Sequence, residues 1–217
     1  MRSFGVHGSG RVVVVAGATS AAGLAAARAL VSAGARVIAT GRSGDRLAAV
    51  ADAGAEVVVA DATSLAEMTT LAAQLGQVDG VLSLVGGWRG GGGLAGQSDE
   101  DFDALLPVLQ AVRATSRAFD QALQASDAGR FAIVSSTAVA RPLAGGANYA
   151  AVKAASEAWA RAVAHGFAKS ARDAGGPLRT ASVIFRAKTL DAGSLANAVV
   201  GLWDADAADL NDRVIEL

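Results

Sequence analysis

The chain of 217 residues contains no cysteine. That absence excludes disulfides, thiolate nucleophiles, cysteine-ligated zinc and iron–sulfur clusters. Histidine occurs only at His7 and His165, with no H-x-x-x-H spacing, so a histidine-rich metal site is not expected. An excess charge of either sign is also missing. Lys+Arg total 19 and Asp+Glu total 20, for a net charge of -1. Without a basic field to hold a phosphate backbone, nucleic acid is not an expected partner. No run of ~20 uncharged apolar residues occurs, so no membrane span is expected. The first ten residues lack the apolar core of a signal peptide, which points to a cytoplasmic location. Tyrosine occurs once and lysine three times. That scarcity gives weight to any meaningful spacing between them.

What is present is a large apolar fraction. Hydrophobic residues make up 52% and charged residues 18%, with a mean hydropathy of +0.37. This is enough for a sizeable core and excludes disorder. Short Val/Ile/Leu runs at 12–16, 36–39, 56–60, 78–85, 131–135, 181–185 and 213–217 suit strands buried on both faces. Alanine-rich, helix-length stretches lie between them, at 22–33, 44–53, 64–75, 98–126, 147–173 and 194–203. Seven strands alternating with helices predict an α/β fold, a parallel sheet covered on both sides. No linker or shift in composition divides the chain, so residues 1–217 are expected to form a single domain.

After the first strand, Gly17 and Gly23 bracket a turn that opens a helix. Such a helix start, with free N–H groups and the positive end of the dipole, suits a pyrophosphate. Gly17 would permit the sharp turn and Gly23 close packing of helix on strand. Thr19, Ser20, Ala22 and Leu24 fall on the same turn. Related dinucleotide-binding patterns carry a third glycine where this chain has Ser20 and Ala21, so the loop alone does not distinguish them. The second strand runs into Gly41, Arg42 and Ser43, with no carboxylate before Asp45. Arg42 offers a fork of donors suited to a ribose 2′-phosphate, which predicts NADP; NAD is the alternative, with Arg42 then capping the turn. Asp61, after the third strand, either accepts from an adenine amino group or caps the next helix.

Ser136, Tyr149 and Lys153 carry the sharpest pattern. Tyr149 and Lys153 stand one helical turn apart on the same face, and Ser136 lies thirteen residues before Tyr149 at a strand end. Reducing a carbonyl requires a proton donor at the oxygen and a second donor to polarise it. A free tyrosine ionises near ~10, and a lysine ammonium close by favours its phenolate. The chance of such an i,i+4 pair from one tyrosine and three lysines is on the order of 1–2%.

These residues resemble the short-chain dehydrogenase/reductase family. The resemblance rests on Gly17-x5-Gly23, on Asp61-Ala62, on Ser136, and on Asn148-Tyr149-Ala150-Ala151-Val152-Lys153, and it extends from Arg11 to Leu217. It implies a seven-stranded Rossmann fold and an oxidoreductase that interconverts a carbonyl and a secondary alcohol with a nicotinamide cofactor. Tyr149 would then be the general acid/base, Lys153 would stabilise its phenolate and hold the nicotinamide ribose, and Ser136 would bind the substrate oxygen. Gly17, Thr19, Ser20, Ala22, Gly23, Leu24, Arg42, Asp61, Ala62, Val85, Gly86 and Thr189 would contribute to the cofactor site. The resemblance also implies a homodimer or homotetramer, joined through the two long helices. Trp159 is a candidate for contact with a partner subunit.

The chain departs from the family pattern at several places. Ser83-Leu84-Val85-Gly86 replaces Asn-Asn-Ala-Gly. No asparagine lies between 99 and 126, where relatives carry one that holds a water of the proton relay; Gln110 is a candidate substitute. The Pro-Gly pair after the sixth strand is absent. The short 188–193 connection predicts a site without a helical lid. The glycine run 86–93 is expected to be mobile, since few side chains hold it. Trp88 is a candidate pocket wall, and Arg141 and Arg186 are candidates to meet an anionic substrate. His165 is expected to serve packing. These losses keep a second class open: a weakly active or non-catalytic NAD(P)-binding protein, acting as a sensor or subunit.

Overall fold

The computed structural model describes residues 10–217; His7 and most of the N-terminal stretch lie outside the described residues. Seven strands form one parallel sheet: β1 (Val12–Ala16), β2 (Arg36–Gly41), β3 (Glu56–Val59), β4 (Gly80–Ser83), β5 (Arg130–Ser136), β6 (Ala181–Ala187) and β7 (Arg213–Glu216). Their order is β3-β2-β1-β4-β5-β6-β7. This is a doubly wound Rossmann sheet. The connection direction reverses between β1 and β4, which leaves a crevice at the carboxyl ends of those strands.

The Val-rich runs form strands because alternate residues find cover on opposite faces. In β1, Val13 and Val15 pack against α1 (Ala21–Ser32) and α6 (Ala192–Val200), together with Leu47 and Val50 of α2 (Gly44–Asp52). Val14 and Ala16 pack on the other face with α3 (Leu65–Leu75), α4 (Asp99–Ala125) and α5 (Ala147–Asp173). A one-turn helix, α7 (Ala207–Leu210), precedes β7. At the edge strand β3, Val57 and Val59 remain exposed.

Five helix starts carry an N-cap side chain that accepts a backbone N–H three residues on: Ser20, Ser43, Ser64, Ser98 and Asp191. Each satisfies one orphan donor of its helix. Ser64, not Asp61, caps α3. Asp61 Oδ1 instead accepts from the Thr63 amide at 2.9 Å and the Thr63 hydroxyl at 2.8 Å.

At the amino ends of the strands, Asp79 ties the sheet together. It accepts from the Val12 amide at 2.8 Å and from the Ser126 hydroxyl at 2.6 Å. The buried guanidinium of Arg130 donates to the carbonyls of Gly129, Arg179, Leu202 and Ala205. Burial pushes it down to about 10. This polar end is remote in role from the crevice, which opens at the other end of the strands.

β6 runs two residues further than the apolar pattern suggested, because Ala187 pairs in register with Ser136. No Pro-Gly pair breaks it. The following residues 188–191 carry no helix, and α6 begins at Ala192, so no helical lid forms from this connection. Among the described residues no helix is long and apolar enough to cross a membrane.

Gly23 sets how closely α1 approaches β1. A Cβ at this position would lie 2.7 Å from the Ala18 Cα and carbonyl oxygen, both backbone atoms. Gly23→Ala should therefore shift the helix and cost about 1–3 kcal/mol of stability. Thermal unfolding checks this, and an unchanged midpoint would show that the contact relaxes freely.

Candidate active site

A cleft of about 750 Å³ opens over the carboxyl ends of β1, β2, β4 and β5. Its floor begins at Gly17, which has φ +81 and whose Cβ would fall 2.7 Å from the Val85 amide nitrogen. Both the backbone conformation and the space require glycine here. The amides of Gly17 and Ala18 donate to the Thr40 carbonyl, which fixes the turn. Beyond it Thr19, Ser20, Ala21 and Ala22 line the cleft at the start of α1. The first N–H groups of a helix have no partner within it, so this wall presents donors and the positive dipole end. Gly23 and Leu24 lie behind the wall. Gly23 serves packing, and the Leu24 amide donates to the Ser20 carbonyl.

At the end of β2, Arg42, Ser43 and Arg46 line the same cleft. The guanidinium groups of Arg42 and Arg46 have no ion-pair or hydrogen-bond partner among the described residues, and both residues are exposed. Arg46 was not legible in the sequence; it enters because Ser43 starts α2 and the first helical turn brings residue 46 back beside residue 42. Asp61, Ala62, Val85 and Gly86 complete this half of the cleft.

The other half is built by β5 and α5. Tyr149 and Lys153 both line it, with the Lys153 Nζ 5.8 Å from the centre of the Tyr149 ring. Lys153 is only 4% exposed and donates to the Val134 carbonyl at 2.7 Å. Burial pushes its ammonium down to about 8, and the Glu157 carboxylate partly offsets this. Val134 and Ser135 form the β5 wall. Ser136 follows, buried and just outside the wall, with its Oγ accepting from the Ala138 amide at 3.2 Å. The Ser135 hydroxyl donates to Glu157 at 2.6 Å. Ser136 thus keeps an O–H free to donate, and Ser135 does not.

Other sequence candidates lie away from the cleft wall or are engaged elsewhere. Thr189 is exposed and outside the wall, which here consists of Ala187, Lys188 and Leu190. Gln110 is exposed on α4 and does not reach the cleft; Pro107, one turn earlier, does. No side chain of α4 therefore replaces the missing asparagine. Arg186 is not part of the cleft wall. It is held by Glu157 at 2.7 and 3.1 Å and by Glu216 at 3.4 Å. Trp159 is half-buried on α5; its Nε1 donates to the Ser116 hydroxyl of α4 at 2.9 Å, the Arg113 guanidinium lies over its ring at 5.1 Å, and the residue remains a candidate for contact with a partner subunit. His165 is exposed rather than packed, and Arg141 is exposed outside the cleft wall.

The end of the glycine run has a side-chain anchor that was not legible in the sequence. The Gln97 side chain donates to the carbonyls of Gly91, Gly93 and Gly145 at 3.0, 3.3 and 3.1 Å. Its Oε1 accepts from the Asn148 amide at 3.1 Å, at the uncapped start of α5. One side chain thus staples the loop to the helix that carries Tyr149. Trp88 and Leu190 line the cleft and are both exposed. Among the described residues no cluster of three or more His, Asp or Glu side chains suits a metal ion.

The comparisons with known proteins agree with this geometry. The family model described as short chain dehydrogenase matches residues 11–171. No curated protein matches the chain. Among solved structures, a metagenomic short-chain oxidoreductase in complex with NADP is 27% identical, with a TM-score of 0.80 over 97% of each chain. Levodione reductase superposes with a TM-score of 0.82 at 19% identity, covering 96% of each chain. A gluconate 5-dehydrogenase from Burkholderia cenocepacia, in complex with NADP and tartrate, superposes with a TM-score of 0.80 at 20% identity, over 96% of this chain and 94% of its own. The last two likenesses are of fold.

Removing the staple should free the loop. In Gln97→Ala, amide hydrogen exchange over 87–97 should accelerate by at least ~10-fold while the strands are unchanged, since three carbonyl contacts and one helix cap are lost together. Unaltered exchange would show that the loop backbone holds itself.

Proposed function

The chain belongs to the short-chain dehydrogenase family, and on that premise we propose that it is an NADP(H)-dependent oxidoreductase that interconverts a carbonyl and a secondary alcohol. The observation that carries the reading is that Tyr149 and the buried Lys153 share one cleft wall, opposite a glycine turn and two unpartnered arginines. The residues fit the cofactor. Gly17 leaves room for a backbone approach, and the start of α1 presents amides to a pyrophosphate. Arg42 and Arg46 would hold a 2′-phosphate, and the free Oδ2 of Asp61 would accept from adenine. Lys153 would hold the nicotinamide ribose.

When bound, the nicotinamide supplies or accepts the hydride; the protein's own residues handle the proton and the orientation. In reduction, the Tyr149 hydroxyl gives its proton to the carbonyl oxygen, and the Ser136 hydroxyl donates a hydrogen bond to the same atom. The Lys153 ammonium stabilises the phenolate left behind. In oxidation the phenolate takes the proton back. Around the reacting oxygen the wall is largely apolar, with Trp88, Pro107 and Leu190. That lining suits a substrate with an apolar body.

A second reading, a sensor or subunit that binds NAD(P) without turnover, draws on the relay position: Gln110 is exposed and nothing takes the asparagine's place. Tight NADPH binding with no turnover across a panel of ketones and aldehydes would favour it.

Cofactor choice is tested at Arg42. Arg42→Ser should weaken NADPH binding by about 1.5–3 kcal/mol, the worth of a charge-assisted hydrogen bond, with little effect on NADH. Calorimetry with both cofactors checks this, and equal losses for the two would contradict it.

The proton donor is tested at the chain's only tyrosine. Tyr149→Phe should cut NADPH-dependent carbonyl reduction by at least ~10²-fold, with NADPH affinity almost unchanged. Turnover that survives intact would remove Tyr149 from the mechanism.

A further inference from the structure

A buried carboxylate that the mechanism does not use sits one helical turn beyond the active-site lysine. Glu157 is 4% exposed. It accepts from the Ser135 hydroxyl at 2.6 Å and from the Arg186 guanidinium at 2.7 and 3.1 Å. Ser135 and Arg186 are register partners on the adjacent strands β5 and β6, so both present side chains to the same helix. Lys153 donates to Val134, the residue before Ser135. Two successive turns of α5 therefore grip two successive residues of β5, one by a cation and one by an anion.

Stability alone does not account for this arrangement. Desolvating a buried ion pair costs about as much as the pair returns, and apolar replacements often match it. The charged groups near Lys153 are few. Its own helix brings Tyr149 and Glu157; β6 brings Arg186, with Glu216 of β7 on its far side; Lys188 is exposed in the cleft wall. β5 offers only the hydroxyls of Ser135 and Ser136. The side chains of α4 buried against Val152 and Tyr149 are the apolar Leu105 and Val108.

We propose that Glu157 is a positioning residue whose carboxylate, fixed by Ser135 and Arg186, is the counter-charge that keeps the buried Lys153 ammonium protonated and seated on β5. Arg186 shares that carboxylate and so limits the charge that Lys153 feels. The pair sets the pH at which the active-site amine loses its proton. The inference rests on the reading that Lys153 acts in the active site. The sign follows from Coulomb's law: removing Glu157 leaves the Arg186 cation uncompensated and disfavours a second cation beside it, whereas removing Arg186 leaves more of the carboxylate to Lys153.

The test is a direct titration of the lysine amines. The chain has three lysines, so protein labelled with 13C and 15N in lysine gives three side-chain signals to assign. The signal of Lys153 should titrate in the wild type below the ordinary lysine range, near about 8, where burial lowers it and Glu157 holds it up. In Glu157→Gln its midpoint should fall by roughly one unit, and in Arg186→Met it should rise or hold. A midpoint unmoved by Glu157→Gln, or one that falls equally in both variants, would overturn the proposal, because packing damage moves both alike. Should Glu157→Gln fail to fold, a fall in Arg186→Met would still overturn the proposal and a rise would support it. For any ketone that is turned over, the high-pH limb of reduction should follow the same shifts. Absence of turnover would count against the oxidoreductase reading alone, and the lysine titration would still decide the role of Glu157.

Discussion

A lysine ammonium buried in the cleft wall is the constraint on which the rest of this site depends. Lys153 loses most of its hydration, and the environment must return part of what water supplied. It does so with one carbonyl of β5 and one carboxylate on the next helical turn. The carboxylate belongs to α5 itself, but the carbonyl is reached only if α5 lies directly along β5. Ala160 and Ala164, buried on α5, allow that close approach. Serving the amine thus fixes the helix, and the fixed helix places Tyr149 at the edge of the cleft.

The second half of the site follows from sheet topology rather than from any one side chain. Reversal of the strand order between β1 and β4 opens a crevice that no helix covers. The glycine turn after β1 leaves that crevice deep enough for backbone to approach a ligand. The end of β2 then contributes two cations with no partner among the described residues. The lining changes along the cleft from amides and arginines to Trp88, Pro107 and Leu190. A charged cofactor and an apolar substrate would each find a matching end.

Much of the fold was legible because the sheet is buried on both faces, so its strands read as unbroken Val and Ile runs. Element ends were less legible. β6 extends to Ala187 because Ser136 is there to pair with it, a fact of register and not of local composition. The Tyr149–Lys153 spacing was visible because both residues sit on one helix. The contacts of Gln97 with Asn148, and of Glu157 with Ser135 and Arg186, join residues 22 to 51 positions apart, and no periodicity reports them. The contacts of Trp159 with Ser116 and Arg113 on α4 were equally illegible, because they join two helices 43 or more positions apart in the chain. The anchor of the glycine run was illegible because the side chain that meets Gly91 and Gly93 lies four positions beyond the run, at Gln97.

The most direct test of the account is a crystal structure of the NADP complex. The account predicts the 2′-phosphate between Arg42 and Arg46, the pyrophosphate at the start of α1, and the nicotinamide ribose within hydrogen-bonding distance of Lys153. A cofactor whose ribose lies away from Lys153, or whose 2′-phosphate meets neither arginine, would contradict it.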